Sequence, residues 1–505
     1  MASPLTPLLL FLIFLLLSNP AVSLPTPDYQ TDCLNVPNSV FSTSIKTAIV
    51  EVQKAVSVIS KISHTFHNFR LFNAVNDCSD LLDLSSDELM WTQAAIESVK
   101  SNGTGDRASD LKAWLSAALG NQDTCLDGFD GTDGIVKSIV SGTLKEATAV
   151  VANVLKMVRQ IPGKKRSGGS PAWIYGGIRR LLQAPASSVA VNVTVALDGS
   201  GNFKSVNDAV LAAPDYNVRR YVIYVKRGVY RENVEIKKKK WNLMLIGDGM
   251  NATIISGNRS FVDGWTTFRS ATFAVSGRGF IARDMSFENT AGPEKHQAVA
   301  FRSDSDLSAY YRCGFYGYQD TLYAHSLRQF YRECRITGTV DFIFGDGAVV
   351  FQNCQILARK PLHNQKISIT AQGRKDPDES TGFSIQFCNI SADSDLLASP
   401  NASDTYLGRP WKPYSRTVFM QSYLDSVIEA EGWLEWEGDF ALTTLYYGEY
   451  RNYGPGAGLS GRVKWPGYHM INDSAEANKF TVAQFIDGNL WLPETGVKYT
   501  SGLGV

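Results

Sequence analysis

A chain of 505 residues is too long for one typical core, so two domains with processing segments around them are expected. A hydrophobic content of 44% with 19% charged residues is ordinary for a globular protein, and 49 basic residues against 49 acidic ones exclude any global attraction to nucleic acid or to an acidic polymer. Sixteen residues of each sign precede Gln183 and 33 of each follow from there, so a polyanion has to be held by local patches. The runs Arg219-Arg220, Lys226-Arg227 and 237–240 are candidates, although such runs are more often solvated faces.

Residues 8–17 form an unbroken apolar run, followed by Pro20 and the small residues Ala21, Val22 and Ser23. Ten residues are too few to cross a bilayer core of roughly 30 Å, so residues 1–23 read as a cleaved signal peptide. Seven N-x-Ser/Thr sequons, at Asn102, Asn192, Asn251, Asn258, Asn389, Asn401 and Asn472, fit a secreted glycoprotein.

Residues 28–161 read as helical. Phe41, Ile45, Ala48, Ile49, Val52, Val56, Ile59 and Ile62 recur at spacings of three and four, the period of one helix face, and similar stripes run through 88–99, 108–119 and 135–158. Four such segments predict an up-down bundle in which Cys78 and Cys125 could be joined across neighbouring helices. His64 and His67 fall on a polar face and read as solvated, so the bundle is a structural or binding module without chemistry of its own. Residues 162–182 are rich in Gly, Pro and Ser and carry two basic clusters; this is an exposed linker in which Arg179-Arg180 offers a site to a processing protease.

From residue 183 to 505 the helical period gives way to short β-branched and aromatic runs between Gly, Asn and Asp. Internal repetition selects the architecture. The pairs Met285/Phe287, Cys313/Phe315, Cys334/Ile336, Cys354/Ile356 and Cys388/Ile390 share one pattern, at offsets of 28, 21, 20 and 34. A minimum near 20 with longer insertions predicts the rungs of a parallel β-solenoid, with Cys, Phe and Ile laddered in its core. In the same register QAVAF at 297–301, QDTLY at 319–323 and VDFIF at 340–344 fall on neighbouring rungs. They stack Asp320 on Asp341 and Gln297 on Gln319, one strand spacing of roughly 5 Å apart. Two acids so close perturb each other, and one should hold its proton well above the usual range. Strict alternation would send Gln319 and Asp320 to opposite faces, so the site requires a bulge or a strand-to-turn junction. Cys334 and Cys354 share one register position at an offset of 20 and are expected to form a disulfide, with Cys313 the rival partner of Cys334.

The segments GVYRE at 228–232, QAVAFR at 297–302, YQDTLY at 318–323, DFIFG at 341–345 and LGRPW at 407–411 resemble, in order, the signature segments of plant pectin methylesterases. The resemblance implies a right-handed parallel β-helix and demethylesterification of homogalacturonan. It implies Asp341 as nucleophile, Asp320 as general acid then base, Gln319 and Gln297 as oxyanion donors, Arg409 as the residue orienting Asp341, and Trp411 as a wall for the sugar. Thr267, in WTTF at 265–268, matches a substrate-contact position, and the family also pairs the positions of Cys334 and Cys354. The helical region resembles the pectin methylesterase inhibitor domain, although it has three cysteines where such domains usually carry four. The implied partners are methylated pectin, the chain's own pro-region or inhibitor proteins, and a processing protease; a monomer in the cell wall is expected.

The residue types suit ester hydrolysis, which needs a nucleophile, oxyanion donors and a proton for methoxide. No Gly-x-Ser-x-Gly elbow and no His/Cys group at ligand spacing occur, so neither a serine triad nor a metal or other cofactor is expected; His296 reads as a structural neighbour. A solenoid glycosidase could also use two acids, but it has no need of two glutamines. A pectate lyase would want an acidic calcium site. A non-catalytic wall-binding or inhibitory protein leaves the Asp/Gln register unexplained.

Overall fold

The computed structural model describes residues 33–62, 68–97, 103–132, 134–159, 190–399 and 403–504. The expected signal peptide at 1–23, the expected linker at 162–182, His64, His67, Asn102 and Asn401 lie outside the described residues.

Four helices make the N-terminal bundle: α1 (Asn38–Ile62), α2 (Phe69–Glu97), α3 (Arg107–Asp127) and α4 (Gly134–Lys156). On α1 the fully buried stripe is Phe41, Ile45, Ala48, Val52, Ala55 and Ile59, the spacing of one helix face. Helix α2 begins 19 residues before the expected stripe at 88. Its inner face carries Asn73, Asp77, Ser85, Ser86, Glu88 and Thr92, polar side chains that interrupt the apolar period yet are buried. Asp106 caps α3 by accepting from the Ser109 amide. A disulfide joins Cys78 on α2 to Cys125 on α3, so the expected bridge of the bundle is present. Cys33 stays a buried thiol in a short extended segment that pairs Leu34 with Val158.

Residues from 190 on wind into a parallel β-helix with one 17-stranded and one seven-stranded sheet. The expected repeat is the observed register: Phe287 pairs with Phe315, Phe315 with Ile336, Ile336 with Ile356 and Ile356 with Ile390. Inside, rings stack one rung apart, Phe273 on Phe301 at 5.3 Å and Tyr310 on Tyr331 at 4.5 Å. Each rung turns a corner through a non-glycine residue in the left-handed region: Asp284, Arg312, Glu333, Asn353, Phe387 and Gln421, each just ahead of the Met285–Cys–Ser422 column. The 34-residue rung between Cys354 and Cys388 places its surplus in loops, among them residues 373–381.

The sulfur column corrects one expectation. Cys334 and Cys354 are level on adjacent rungs, but both are free thiols, as are Cys313 and Cys388. Each thiol instead donates to a main-chain carbonyl one rung back, Cys334 to Tyr310, Cys354 to Tyr331 and Cys388 to Phe351, at 3.4–3.6 Å. The column is a run of satisfied small hydrophobes rather than a cross-link.

Candidate active site

The seven-stranded sheet positions the acids. Its strands run, neighbour to neighbour, Val234–Ile236, Phe273–Val275, Phe301–Ser303, Leu322–Tyr323, Ile343–Gly345, Ile367–Gln372 and Thr405–Gly408. Leu322 pairs with Ile343, so Asp320 and Asp341 stand level just before their strands. Both have left-handed backbones, φ 61° and 52°, which is the strand-to-turn junction that strict alternation required. The offset between the two glutamine rungs is 21, not 22: Phe301 pairs with Leu322, so Gln297 sits one residue short of the level of Gln319. The stacked amide pair of the sequence reading is thus a staggered one, and both glutamines are half-buried.

Arg409 leaves the end of the Thr405–Gly408 strand and grips Asp341 with both arms of its guanidinium, Nε to Oδ1 at 2.8 Å and Nη2 to Oδ2 at 2.7 Å. Asp320 has no such partner. Burial, and then the charge of Asp341, push its carboxyl well above the usual carboxylate range, against the pull of Arg409. One acid is thereby gripped by a bidentate cation while its neighbour favours the proton. The Arg409 guanidinium rests 4.4 Å above the ring of Trp436, a support that the sequence reading missed and that only tertiary structure brings together.

Trp411 packs edge-on against Phe344 at 5.9 Å and Tyr323 at 6.4 Å, which stack on each other at 4.1 Å. Thr267 stands apart, in the loop before the Phe273–Val275 strand, two rungs from Asp320.

Helices α2 and α3 lie across this face. Phe268, Ala274, Tyr323, Phe344 and Ala371 belong to one apolar cluster with Trp114, Leu115 and Leu119 of the bundle. Thr124 of α3 bonds Nε2 of His325 at 2.9 Å, and the other ring nitrogen is 2.9 Å from Asp304. Buried Arg328 is shared between Asp306 of the β-helix and Asp110 of α3, 2.8 and 2.7 Å away. Between α3 and the sheet a small cavity remains, lined by Thr124, Asp127, Tyr323, His325, Trp411 and Lys412 among others.

The fold is a parallel β-helix that carries two level carboxylates on one sheet, one of them gripped by an arginine. The family model described as Pectinesterase matches residues 192–489, and the chain belongs to the pectinesterase family. A second family model, Plant invertase/pectin methylesterase inhibitor, matches residues 17–157. Pectinesterase/pectinesterase inhibitor PPE8B of Prunus persica is 63% identical over 95% of this chain and 92% of its own. Probable pectinesterase/pectinesterase inhibitor 32 of Arabidopsis thaliana is 60% identical over 94% and 93%. The solved pectin methylesterase from carrot is 56% identical, with a TM-score of 0.62 over 62% of this chain and 99% of its own.

Proposed function

We propose that this pectinesterase removes methyl esters from the galacturonate units of pectin through Asp341 and Asp320. The observation that carries the reading is the asymmetry of the acid pair: Arg409 holds Asp341, and burial beside that anion keeps the proton on Asp320. The Asp341 carboxylate attacks the ester carbonyl while Gln319 and Gln297 donate to the developing oxyanion. As the tetrahedral centre collapses, methoxide takes the proton of Asp320 and leaves as methanol, leaving an acyl anhydride on Asp341. Asp320, now ionised, draws a proton from water as that water attacks the acyl carbon. The free galacturonate departs, Asp341 is again a carboxylate and Asp320 again an acid. Trp411 walls the reacting sugar, and Thr267, two rungs from Asp320, serves a neighbouring sugar of the chain. Methanol released from methylated pectin without new chain ends supports this reading; new reducing or unsaturated ends would replace it with a glycosidase or a lyase.

In the intact chain the bundle covers the sheet face beside the acids, so the full-length protein is the latent form and cleavage in the 162–182 linker, with departure of residues 28–161, exposes the site. Secretion to the cell wall fits the apolar run at 8–17, the exposed sequon residues Asn192, Asn251, Asn258, Asn389 and Asn472, and a disulfide suited to an oxidising compartment. Methanol release before and after proteolysis at Arg179-Arg180 tests latency directly.

A further inference from the structure

Beside the inward ladder of Phe287, Phe315, Ile336 and Ile356 runs an outward column that the reaction does not use. Strand alternation turns Ser286, Gly314, Arg335 and Gln355 to the outside, and they stand level across three rung spacings, about 14 Å. These strands belong to the 17-stranded sheet, not to the sheet that carries the acid pair. The outer surface is hollowed there into an open groove, with Asn251 at its edge and Tyr316, Arg335 and Gln355 along it.

Gly314 shapes the floor of the groove. A Cβ added at Gly314 would stand 2.6 Å from the Tyr316 ring and 2.5 Å from its hydroxyl, so the ring lies folded over the bare backbone instead of standing off the sheet. Half-buried in this way, it offers a flat aromatic surface to the apolar face of a pyranose. Polar groups rim it: Arg335 donates to Asp393 at 3.1 Å, and the side-chain amides of Asn353 and Gln355 are exposed beside the ring. The lining cations Arg335 and Arg359 are matched by the carboxylates Glu333 and Asp393. A groove without net charge has nothing to offer a polyanion and suits a neutral saccharide. One such saccharide can be tethered here, because exposed Asn251 opens the sequon Asn251-Ala252-Thr253.

We propose that Asn251 carries an N-linked glycan and that its first, uncharged N-acetylglucosamine units lie in this groove. One ring rests on Tyr316, and Arg335, Gln355 and Asp393 bond the hydroxyl and acetamido groups. In the attachment step Nδ2 of Asn251 bonds to C1 of the first sugar of a lipid-pyrophosphate-linked oligosaccharide. The lipid pyrophosphate leaves, and the amide gives up one proton to the base of the transferring enzyme. The seated glycan braces the turn at Asn251 against rungs that lie far along the chain, on a different sheet from the chemistry.

The test uses the full chain secreted from plant cells. Glycopeptide mapping should find Asn251 occupied. A peptide:N-glycosidase acting on the native protein should release this glycan slowly. Tyr316→Ala and the exposed-site variant Gln355→Ala should each speed that release about fivefold, the effect of losing one ordinary contact. Release from any other occupied sequon should not change. Asn251→Gln should lower the melting temperature of the β-helix, Asn258→Gln should not, and methanol release should be equal in all four variants. A bare Asn251 overturns the site. A glycan at Asn251 that leaves equally fast from the wild type and from both groove variants overturns the groove as its seat. Binding of an oligogalacturonate by the Asn251→Gln protein, abolished by Tyr316→Ala, would give the groove to the substrate polymer and overturn the proposal as well.

Discussion

Gly120 of α3 lies directly over Asp346 of the β-helix: a Cβ added at Gly120 would stand 3.1 Å from the Asp346 carboxylate oxygen. Helix and sheet touch there without room for a side chain. Gly120→Leu is therefore expected to lift α3 off the sheet while improving its own helix by about 1 kcal/mol in propensity. Methanol release by the uncut chain should rise toward that of the cleaved enzyme, with the bundle's helical circular dichroism retained. Unchanged latency would show that the contact does not hold the bundle in place.

Docking should also respond to pH. Burial and the nearby Asp123 charge raise Asp127 to about 6, and burial raises Asp346 to about 7. Both groups hold protons more tightly in the docked form than they would in water. Docking is then strongest below their ordinary value of 3.8 and weakens progressively until the pH has passed about 6 to 7. Gel filtration of linker-cleaved protein between pH 5 and pH 8 should show the two parts together at the acid end and separating at the alkaline end.

The acid pair predicts separable kinetic losses. Asp341→Asn cannot form the acyl intermediate, so turnover should fall to background. Asp320→Asn loses both the proton for methanol and the later base, at about 10²–10⁴-fold. Gln319→Ala should cost about 10²–10³-fold, mostly in kcat, because the donor serves charge present only in the transition state. Since Asp320 must be protonated to release methanol and its carboxyl is raised, the alkaline limb of the rate profile belongs to it. Methanol-release kinetics beside thermal unfolding check all three variants. Unfolding of both Asp variants would assign the pair to turn-capping at their left-handed corners.

Cys78→Ser removes a cross-link that closes 47 residues of chain. The bundle should lose about 2–5 kcal/mol, read as a lower denaturation midpoint for its helices, while the β-helix melts as before. Thiol mapping of the same material should find Cys313, Cys334, Cys354 and Cys388 reactive only after denaturation.

The solenoid was legible because its core repeats: the Phe287, Phe315, Ile336, Ile356 and Ile390 column could be aligned by eye, and Asp320 with Asp341 followed from the same offsets. The glutamine register slipped by one because the stretch before Phe301 is not strand, and an offset counted through it carries no pairing information. The first half of α2 was hidden for the opposite reason. Its buried Asp77 faces Arg269 of the β-helix and Ser85 the Ala118 carbonyl of α3 rather than an apolar core, and period analysis reads them as solvent. Trp436 beneath Arg409 lies 27 residues along the chain, and no pattern in the sequence predicts that stacking.

The loop at 373–381 gives the long rung a second significance. Lys375 of this loop reaches Asp123, the Ser380 amide donates to the Ser116 hydroxyl oxygen, and the Asp378 carbonyl takes a bond from Lys112, all on α3. The chemistry resides in which residues stack, whereas grip on the bundle resides in how long one coil is between its stacked positions. Lengthening or shortening that coil would leave every ladder pairing in place. Contact with the bundle and the register of the site can therefore vary independently, so that a chain could keep one while changing the other.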